Sequence, residues 1–441
     1  MGWMELYRSK VKTADEALAV VSSGDRVYIH QGCQEPEDLV AAMVRRASEL
    51  RDVEVLHLAT MGAADYSKPE YEGHFRHNSF FIGSNVRQAA QEWRADYIPV
   101  FLHEIEGLFL NGALPIDVAL IQCCPPDDYG YMSLGTGIDV TLAAAKHTRH
   151  LIVEVNDQSP RTLGDAFLHV SKADTIVEAS HPLAEYKMQK ITDVHRAIAG
   201  HVANLIPDGA TLQTGIGGIP DAVLANLRNH RDLGVHAEMF SDGVIDLIQK
   251  GVINNERKTI HLHKVIAGFV LGTKVLFDFI HDNPIFEFHP TAYTNDPFII
   301  AQNDRMVAIN SAIEVDLTGQ VCSDSIGHLP YSGIGGQVDF VRGAARSKGG
   351  LPIIALPATA KDGRVSRIAP VLKPGSGVVT SRGDVHYVVT EFGVAYLHGK
   401  NLRQRAEALV QIAHPDFRDE LVTAANSIGL LARKARVPAG E

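Results

Sequence analysis

The fold is indicated most directly by residues 209–220, GATLQTGIGGIP. A leading glycine is followed by a short run typical of a buried strand, then by a glycine loop, and then by a predicted helix over Asp221–Asn229. Glycines allow positive φ, and a helix that begins directly after the loop presents free N–H donors and the positive end of its dipole. Strand, loop and helix together form one repeating unit of an α/β sheet.

A similar pattern begins at Gly24, where GDRVYI at residues 24–29 precedes GATLQT at residues 209–214 by an offset of 209 − 24 = 185. Each stretch leads into a loop with glycine and proline, then a helix, then another strand. DDYG at residues 127–130 matches DLTG at residues 316–319, at an offset of 316 − 127 = 189. Near-constant offsets predict two similar, open, mainly parallel α/β domains, over residues 1–190 and 191–441. The predicted strands are Arg26–Ile29, Val53–Leu58, Val118–Gln122, Leu151–Val155, Gly209–Thr214 and Val235–Met239, and the predicted first-half helices are Pro36–Leu50 and Leu142–His147.

Composition limits the functional class. A chain of 441 residues is longer than one ordinary hydrophobic core accommodates, which predicts two domains. Its 41 Lys+Arg against 52 Asp+Glu give a net charge of −11. This charge argues against a nucleic-acid partner, although backbone N–H groups can bind phosphate on an acidic protein. The N-terminus lacks a signal peptide pattern and no apolar run reaches membrane-spanning length. The four cysteines have no secreted-domain spacing, so the sequence predicts a cytoplasmic protein with reduced thiols and no membrane partner.

Two glycine loops are candidates for ligand binding. The first, over Gly215–Ile219, suits a pyrophosphate, although a tight turn without a ligand fits equally well. A dinucleotide fingerprint fits less well, because Pro220 stands where the third glycine should be. The second, SGIGGQVDF at residues 332–340, precedes a helix predicted to begin near Gln337. Two such loops could line one cleft, one holding a cofactor and the other stabilising an oxyanion.

Glu238 is the candidate nucleophile. The stretch VHAEMFSDG at residues 235–243 is predicted to be a buried strand that ends in a turn, and ligands of open α/β sheets lie at the carboxyl ends of strands. The matching stretch of the first half, LHLA at residues 56–59, has no acid, so the fold alone does not require a carboxylate at Glu238. Most acids at strand ends are merely exposed, and the two glycine loops are what favour catalysis here.

No metal site is predicted. His261 and His263 would share one face of a strand, and His74 and His77 one face of a helix, but no carboxylate or cysteine at the usual spacing completes either set. The adjacent Cys123 and Cys124 are predicted to be a buried structural pair of thiols.

The chain resembles the acetyl-CoA hydrolase/transferase family of CoA-transferases, and within it the 4-hydroxybutyrate and butyryl-CoA:acetate CoA-transferases. The resemblance extends nearly from end to end. Its motifs are RADYIPVFL at residues 94–102, DDYGYMSLG at 127–135, PRTLGD at 160–165, GIGGIP at 215–220, EMFSDG at 238–243, GIGGQVDF at 333–340 and VVTEFGVA at 388–395.

This resemblance implies a ping-pong transfer of CoA between short-chain acids, acetate with 4-hydroxybutyrate or butyrate, through a thioester on Glu238. Acyl-CoA and a carboxylate would be the substrates, without a permanently bound cofactor, and the enzyme would be a homodimer or larger. Gly336 would offer its N–H to the oxyanion, assisted by the amide of Asn295. The implied CoA contacts are Gly215, Ile216, Gly217, Gly218, Ile219, Ile313, Gly336 and Lys361.

Three residues depart from the family pattern: His103 replaces an expected serine, Glu106 a proline and Ser159 a methionine. They lie in the half that shapes the acid pocket, so the identity of the acid stays open. An acyl-CoA hydrolase on the same scaffold is an alternative, because water could intercept the same intermediate. A non-catalytic sensor of a CoA or phosphorylated metabolite is the alternative from another class.

Overall fold

The computed structural model describes residues 2–431, in which two separate sheets dominate. The first sheet has seven strands, and every neighbouring pair is parallel. In spatial order they are Asp96–Tyr97, Phe75–Ser79, Val53–His57, Arg26–Ile29, Ile116–Cys123, Thr148–Asn156 and Thr175–Ala179. The sequence order reverses between Arg26–Ile29 and Ile116–Cys123, and ligand-binding crevices form at such switch points.

The second sheet has six strands and is parallel except for its last pair. In spatial order they are Gly234–Val235, Thr211–Thr214, Met306–Ser311, Leu351–Ala355, Tyr387–Thr390 and Gly393–Tyr396. As in the first sheet, the first strand in sequence lies inside the sheet, with the second strand on one side and a later strand on the other. The prediction of two similar, mainly parallel α/β units is confirmed.

The repeated Asp-x-x-Gly stretches also have the same local structure. Asp127 Oδ1 accepts hydrogen bonds from the N–H groups of Tyr129 and Tyr131, at 2.9 and 3.0 Å. Asp316 Oδ1 accepts the corresponding pair from Thr318 and Gln320, at 2.9 and 3.1 Å. Each carboxylate thus satisfies the backbone of a turn, which is the physical reason for an aspartate there.

The α-helices pack around the sheets, and the predicted ones are present with shifted bounds. The helix predicted over Pro36–Leu50 ends at Arg45 and is followed by a separate 3₁₀ turn. The helix predicted over Asp221–Asn229 begins three residues earlier, since Pro220 is tolerated in a first turn, where its missing N–H is not needed. The α-helices are Trp3–Lys10, Ala14–Leu18, Glu37–Arg45, Arg87–Gln91, Ile105–Leu110, Thr141–His147, Asp193–Ala203, Gly218–Asn226, Gly243–Gln249, Lys274–Ile280, Thr291–Thr294, Pro297–Ile300, Gln337–Arg346, Leu402–Ile412 and Pro415–Ser427.

Short strands and 3₁₀ turns complete the structure, and some of the strands join the two units. Gly137 pairs with Phe269, and Gly164 pairs with Phe288. One continuous apolar core includes residues of both halves, so the two units pack against each other. The short strands are Tyr131–Ser133, Phe167–His169, Met239–Phe240, Val265–Ala267, Phe269–Val270, Phe286–Phe288, Glu314–Asp316, Val321–Cys322, Ser325–Ile326, Leu329–Pro330, Thr359–Ala360, Val365–Ser366 and Ile368–Ala369; the 3₁₀ turns are Ala47–Glu49, Asp65–Ser67, Pro69–Tyr71 and Leu102–Glu104.

The predicted domain boundary near residue 190 stays a prediction. It falls in residues 180–192, which contain neither helix nor strand, and the next helix begins at Asp193. The sequence predicts a frayed C-terminal stretch at residues 436–441, which lies outside the described residues. Within residues 2–431, no helix combines the length and apolar character needed to cross a membrane.

Candidate active site

Glu238 lies where the chain leaves the second sheet. Val235–Met239 is not the continuous strand that was predicted: Val235 pairs with Leu212 in the second sheet, whereas Met239 pairs with Phe269. The change of partner strand interrupts the regular structure at Glu238, whose backbone carbonyl accepts a hydrogen bond from the N–H of Gly268 at 2.9 Å. The carboxylate therefore projects from a fixed turn at a strand end.

Asn295 and Gly336, which the family resemblance places at the reacting carboxylate, both lie at the carboxylate of Glu238. Asn295 Nδ2 donates to Glu238 Oε2 at 3.0 Å, and the hydroxyl of Thr294 donates to Asn295 Oδ1 at 2.9 Å, which orients the amide. Gly336 approaches so closely that a Cβ atom built on it would lie 1.9 Å from Glu238 Oε2. The backbone N–H of Gly336 faces the same carboxylate. Only glycine leaves room for the carboxylate at this distance.

The environment makes Glu238 a weaker acid than an ordinary glutamate. Burial raises the pKa of its carboxyl to about 7, and the charges of Asp339 and Asp139 act in the same direction. The amide of Asn295 and the N–H of Gly336 oppose the rise in pKa because they stabilise the charged form. A carboxylate that is poorly solvated and held by two donors is suited to nucleophilic attack.

This pKa predicts the pH dependence of the reaction. With the ionised form of Glu238 as the predicted nucleophile, kcat/KM for an acyl-CoA is expected to fall about tenfold for each pH unit below 7. Asp339→Asn removes a neighbouring negative charge and is expected to lower the apparent pKa, shifting the profile to lower pH. Asp416→Asn, an exposed acid on the C-terminal helix, is the control and should leave the profile unchanged. A flat profile from pH 5.5 to 8 in the wild type would contradict the prediction.

Asp339 and His103 extend the cluster beyond the predicted residues. His103 Nδ1 lies 2.8 Å from Asp339 Oδ1, and Asp339 in turn accepts from the amide of Asn295. Asp339 is buried, and its pKa is raised by that burial, whereas its hydrogen bond raises the pKa of His103. In the sequence, His103 is marked only as a departure from the family pattern. The available sequence signal for Asp339 was an acid in the first turn of the helix that follows the second glycine loop.

The loop before Gly336 is held by the first unit. The N–H of Ile82 donates to Ser332 O at 3.2 Å, that of Leu102 donates to Gly335 O at 3.3 Å, and the hydroxyl of Tyr97 accepts from the N–H of Ile334 at 3.0 Å. Tyr97 and Leu102 belong to the RADYIPVFL motif. The first half of the chain thus positions a loop whose last residue faces Glu238.

Apart from Gly336, the predicted CoA-binding residues come after three neighbouring parallel strands of the second sheet, at increasing distances along the chain. Gly215–Ile219 follows Thr211–Thr214, Ile313 follows Met306–Ser311, and the exposed Lys361 follows Leu351–Ala355. Gly217 has a φ of 107°, and a Cβ atom on Gly215 or Gly217 would meet nothing within 4 Å. The first loop is therefore open for a ligand, and the helix that begins at Gly218 directs its N-terminus to the same edge.

Two predicted histidine pairs are wrong. His74 directly precedes the strand Phe75–Ser79 and His77 lies within it, so the two residues do not share a helix face. His261 and His263 lie in a turn, both with positive φ, rather than on one strand face. All four cysteines are buried, and burial raises the pKa of Cys123, consistent with a structural thiol.

The other two departures from the family pattern lie in the first unit. Ser159 is buried and its hydroxyl accepts a hydrogen bond from Gln34 Nε2 at 2.5 Å. Glu106 is half-buried on the helix Ile105–Leu110, two residues after the 3₁₀ turn that carries His103.

Known proteins similar to this chain cover it almost completely. The acetyl-CoA hydrolase/transferase N-terminal domain matches residues 3–184, and the C-terminal domain of the same name matches residues 272–425. A 4-hydroxybutyrate coenzyme A transferase from Clostridium kluyveri is 52% identical over 96% of this chain and 98% of its own. A succinyl-CoA:acetate/propanoyl-CoA:succinate CoA transferase from Fasciola hepatica is 50% identical, over 93% of this chain and 86% of its own.

A butyryl-CoA:acetate CoA-transferase from Anaerostipes caccae is 39% identical over 96% of this chain and 97% of its own. Among solved structures, RipA from Yersinia pestis superposes with a TM-score of 0.93 at 36% identity, over 98% of this chain and 100% of its own. The sequence motifs, the two sheets and the family matches to both halves of the chain all indicate the same family. The chain belongs to the acetyl-CoA hydrolase/transferase family.

Proposed function

We propose that this chain is an acyl-CoA:carboxylate CoA-transferase that carries CoA as a thioester on Glu238. The chain is a CoA-transferase by its relatives, which are named as CoA transferases at 39–52% identity. The observation that supports the mechanism is the meeting of Glu238, Asn295 and Gly336 at one carboxylate oxygen.

The chemistry requires a nucleophile that preserves the thioester. Glu238 attacks the carbonyl of an acyl-CoA and forms a mixed anhydride as the CoA thiolate leaves. The thiolate then attacks the Glu238 side of the anhydride, which releases the first acid as a carboxylate and leaves CoA on Glu238. The acceptor carboxylate reverses these steps and leaves as the new acyl-CoA. Both acids are already ionised, so neither attack needs a general base.

The two hydrogen-bond donors at Glu238 suit the later reaction steps, in which the thioester on Glu238 is attacked by the acceptor acid. Asn295 Nδ2 lies 3.0 Å from Glu238 Oε2, the atom that becomes the carbonyl oxygen of the thioester and then the oxyanion when that thioester is attacked. A donor already in place needs no reorganisation as charge develops, which is the usual basis of oxyanion stabilisation. We therefore assign Asn295 and Gly336 to this role, and Glu238 to that of the nucleophile.

Coenzyme A is proposed to lie across the carboxyl edge of the second sheet. The open loop Gly215–Ile219 and the helix N-terminus after it suit the pyrophosphate, Ile313 offers an apolar contact, and Lys361 offers a cation to a phosphate. The acid is proposed to bind on the side of the first unit, near His103. Acetate with 4-hydroxybutyrate or butyrate are the proposed acids, and a homodimer or larger assembly in the cytoplasm is the proposed state.

Trapping the intermediate tests the function. Incubation with acetyl-CoA and no acceptor is expected to leave CoA on the peptide that contains Glu238, detected by mass spectrometry. Subsequent addition of acetate, butyrate, 4-hydroxybutyrate or succinate should remove the label and yield the matching acyl-CoA. The kinetics should be ping-pong, with parallel double-reciprocal plots. A label on another residue, or intersecting plots, would refute the thioester on Glu238, and label loss at one rate with or without acid would indicate a hydrolase.

A further inference from the structure

A second cluster of chemically reactive side chains lies apart from the carboxylate of Glu238. It is formed by His261, Glu287 and His289, around the short strand Phe286–Phe288. One ligand atom from each lies within 4.8 Å of the other two. His261 Nδ1 is 3.7 Å and His289 Nε2 is 3.8 Å from Glu287 Oε2. Two imidazoles and a carboxylate are a ligand set that zinc uses in proteins.

The outer nitrogens of both histidines are already engaged. His289 Nδ1 lies 2.9 Å from Asp165 Oδ2, so this nitrogen carries the proton and donates to the carboxylate. His261 Nε2 lies 2.6 Å from the hydroxyl of Tyr293. If His261 Nε2 donates to that oxygen, both rings direct an unprotonated nitrogen toward Glu287. Carboxylates and hydroxyls that fix the tautomer in this way are the usual outer partners of metal-bound histidine.

The inner nitrogen of His289 has no other use in the fold. Its Nε2 atom is buried and, across the described residues 2–431, finds no hydrogen-bond partner. The 3.8 Å to Glu287 Oε2 is too long for a hydrogen bond, and both atoms are acceptors in this tautomer. A buried acceptor without a partner is costly, and a cation between His289 Nε2 and the partly exposed Glu287 carboxylate removes the cost.

The local charge permits a cation. Lys264 Nζ lies 3.1 Å from Glu287 Oε1, which leaves Oε2 free to face the histidines. The nearby Lys258 is buried among backbone carbonyls, and burial lowers its pKa to about 7. Asp165 and Glu287 together outweigh the charge of Lys264.

We propose that His261, Glu287 and His289 bind a divalent transition-metal ion of the zinc class. Tetrahedral bonds near 2.0–2.1 Å place ligand atoms about 3.3 Å apart. The two histidine nitrogens lie 3.7 and 3.8 Å from Glu287 Oε2 and within 4.8 Å of each other, so metal binding requires the side chains to draw together. Close spacing in the sequence pairs His261 with His263 and offers no third ligand, whereas the fold brings His261 to Glu287 and His289. The metal would fix the segment from Phe286 to Thr294, which leads directly into Asn295, and its role is structural.

Metal binding to the full-length chain tests the site. After treatment with a chelator, the wild type is expected to take up one Zn²⁺ per chain by calorimetric titration and elemental analysis. His289→Gln and Glu287→Gln are expected to bind Zn²⁺ at least about tenfold more weakly. His263→Asn is the matched control, because His263 is exposed in the same turn and asparagine tolerates its positive φ. Its zinc affinity should equal that of the wild type.

Two further measurements keep the test independent of variant folding. Co²⁺ added to the wild type should give the intense visible absorption of a tetrahedral site, and one equivalent of Zn²⁺ should abolish it. Zn²⁺ should raise the melting temperature of the wild type and of His263→Asn, but not that of His289→Gln. The proposal is overturned if the wild type binds no metal, or if its bound zinc survives His289→Gln with unchanged affinity.

Discussion

Glu238→Gln is expected to abolish CoA transfer, with kcat reduced by at least about 10⁴-fold. Glutamine preserves the size of the side chain and can still accept a hydrogen bond from Asn295, but its amide is not a nucleophile. The loss is therefore chemical rather than structural, and the melting temperature should change little. Steady-state assays with acetyl-CoA and an acceptor acid, together with adduct mapping, measure the effect.

Glu256→Gln is the control for this variant, because Glu256 is an exposed acid of the same half of the chain. It should retain wild-type turnover. Substantial transfer by Glu238→Gln would mean that CoA passes directly between two bound acids. In that case Glu238 would only position a substrate.

Gly336→Ala is expected to reduce kcat by about 10²–10³-fold, the usual effect of losing one oxyanion donor. The φ of Gly336 is −94°, which alanine adopts readily, so backbone strain is not the cause. The added Cβ atom would instead lie 1.9 Å from Glu238 Oε2 and 2.2 Å from Asn295 Nδ2. Something must move, and the moving groups are the nucleophile and its donors.

Two comparisons separate this effect from general damage. Gly107→Ala introduces the same methyl group in a helix, where a Cβ atom would meet nothing within 4 Å, and full activity is expected. Lys361→Asn removes a cation from an exposed turn and should raise KM for acyl-CoA with little change in kcat. If Gly336→Ala, like Lys361→Asn, changed KM but not kcat, the Gly333–Phe340 loop would bind CoA, and the oxyanion donor would have to be sought elsewhere.

Much of this arrangement could be predicted because it depends on local sequence. The glycines around residues 24 and 209 mark the first strand of each sheet, and the loop at Gly215–Ile219 has the open geometry expected of it. Glu238 stood out because the matching strand of the first half has no acid. The resemblance to a known family then identified Asn295 and Gly336, which no spacing rule would have paired with Glu238.

Contacts between distant segments escaped prediction. Val235–Met239 has the apolar residues of a continuous strand, and only the exchange of partner from Leu212 to Phe269 shows why it is interrupted. His261 and His289 are 28 residues apart by numbering (289 − 261 = 28), and turns bring them together. A pairing rule based on close spacing therefore selected His263, which is exposed.

The loop that ends at Gly336 receives hydrogen bonds from the N–H groups of Ile82 and Leu102 and donates one to the hydroxyl of Tyr97. The N–H of Gly336 belongs to the second half of the chain, but residues of the first half hold its loop in position next to Glu238. A substitution such as Tyr97→Phe, which removes the acceptor of Ile334, would slow the chemical step although Tyr97 touches neither reactant. Sequence changes in the first half are therefore expected to alter the reaction rate as well as, by the function proposed above, the choice of acid.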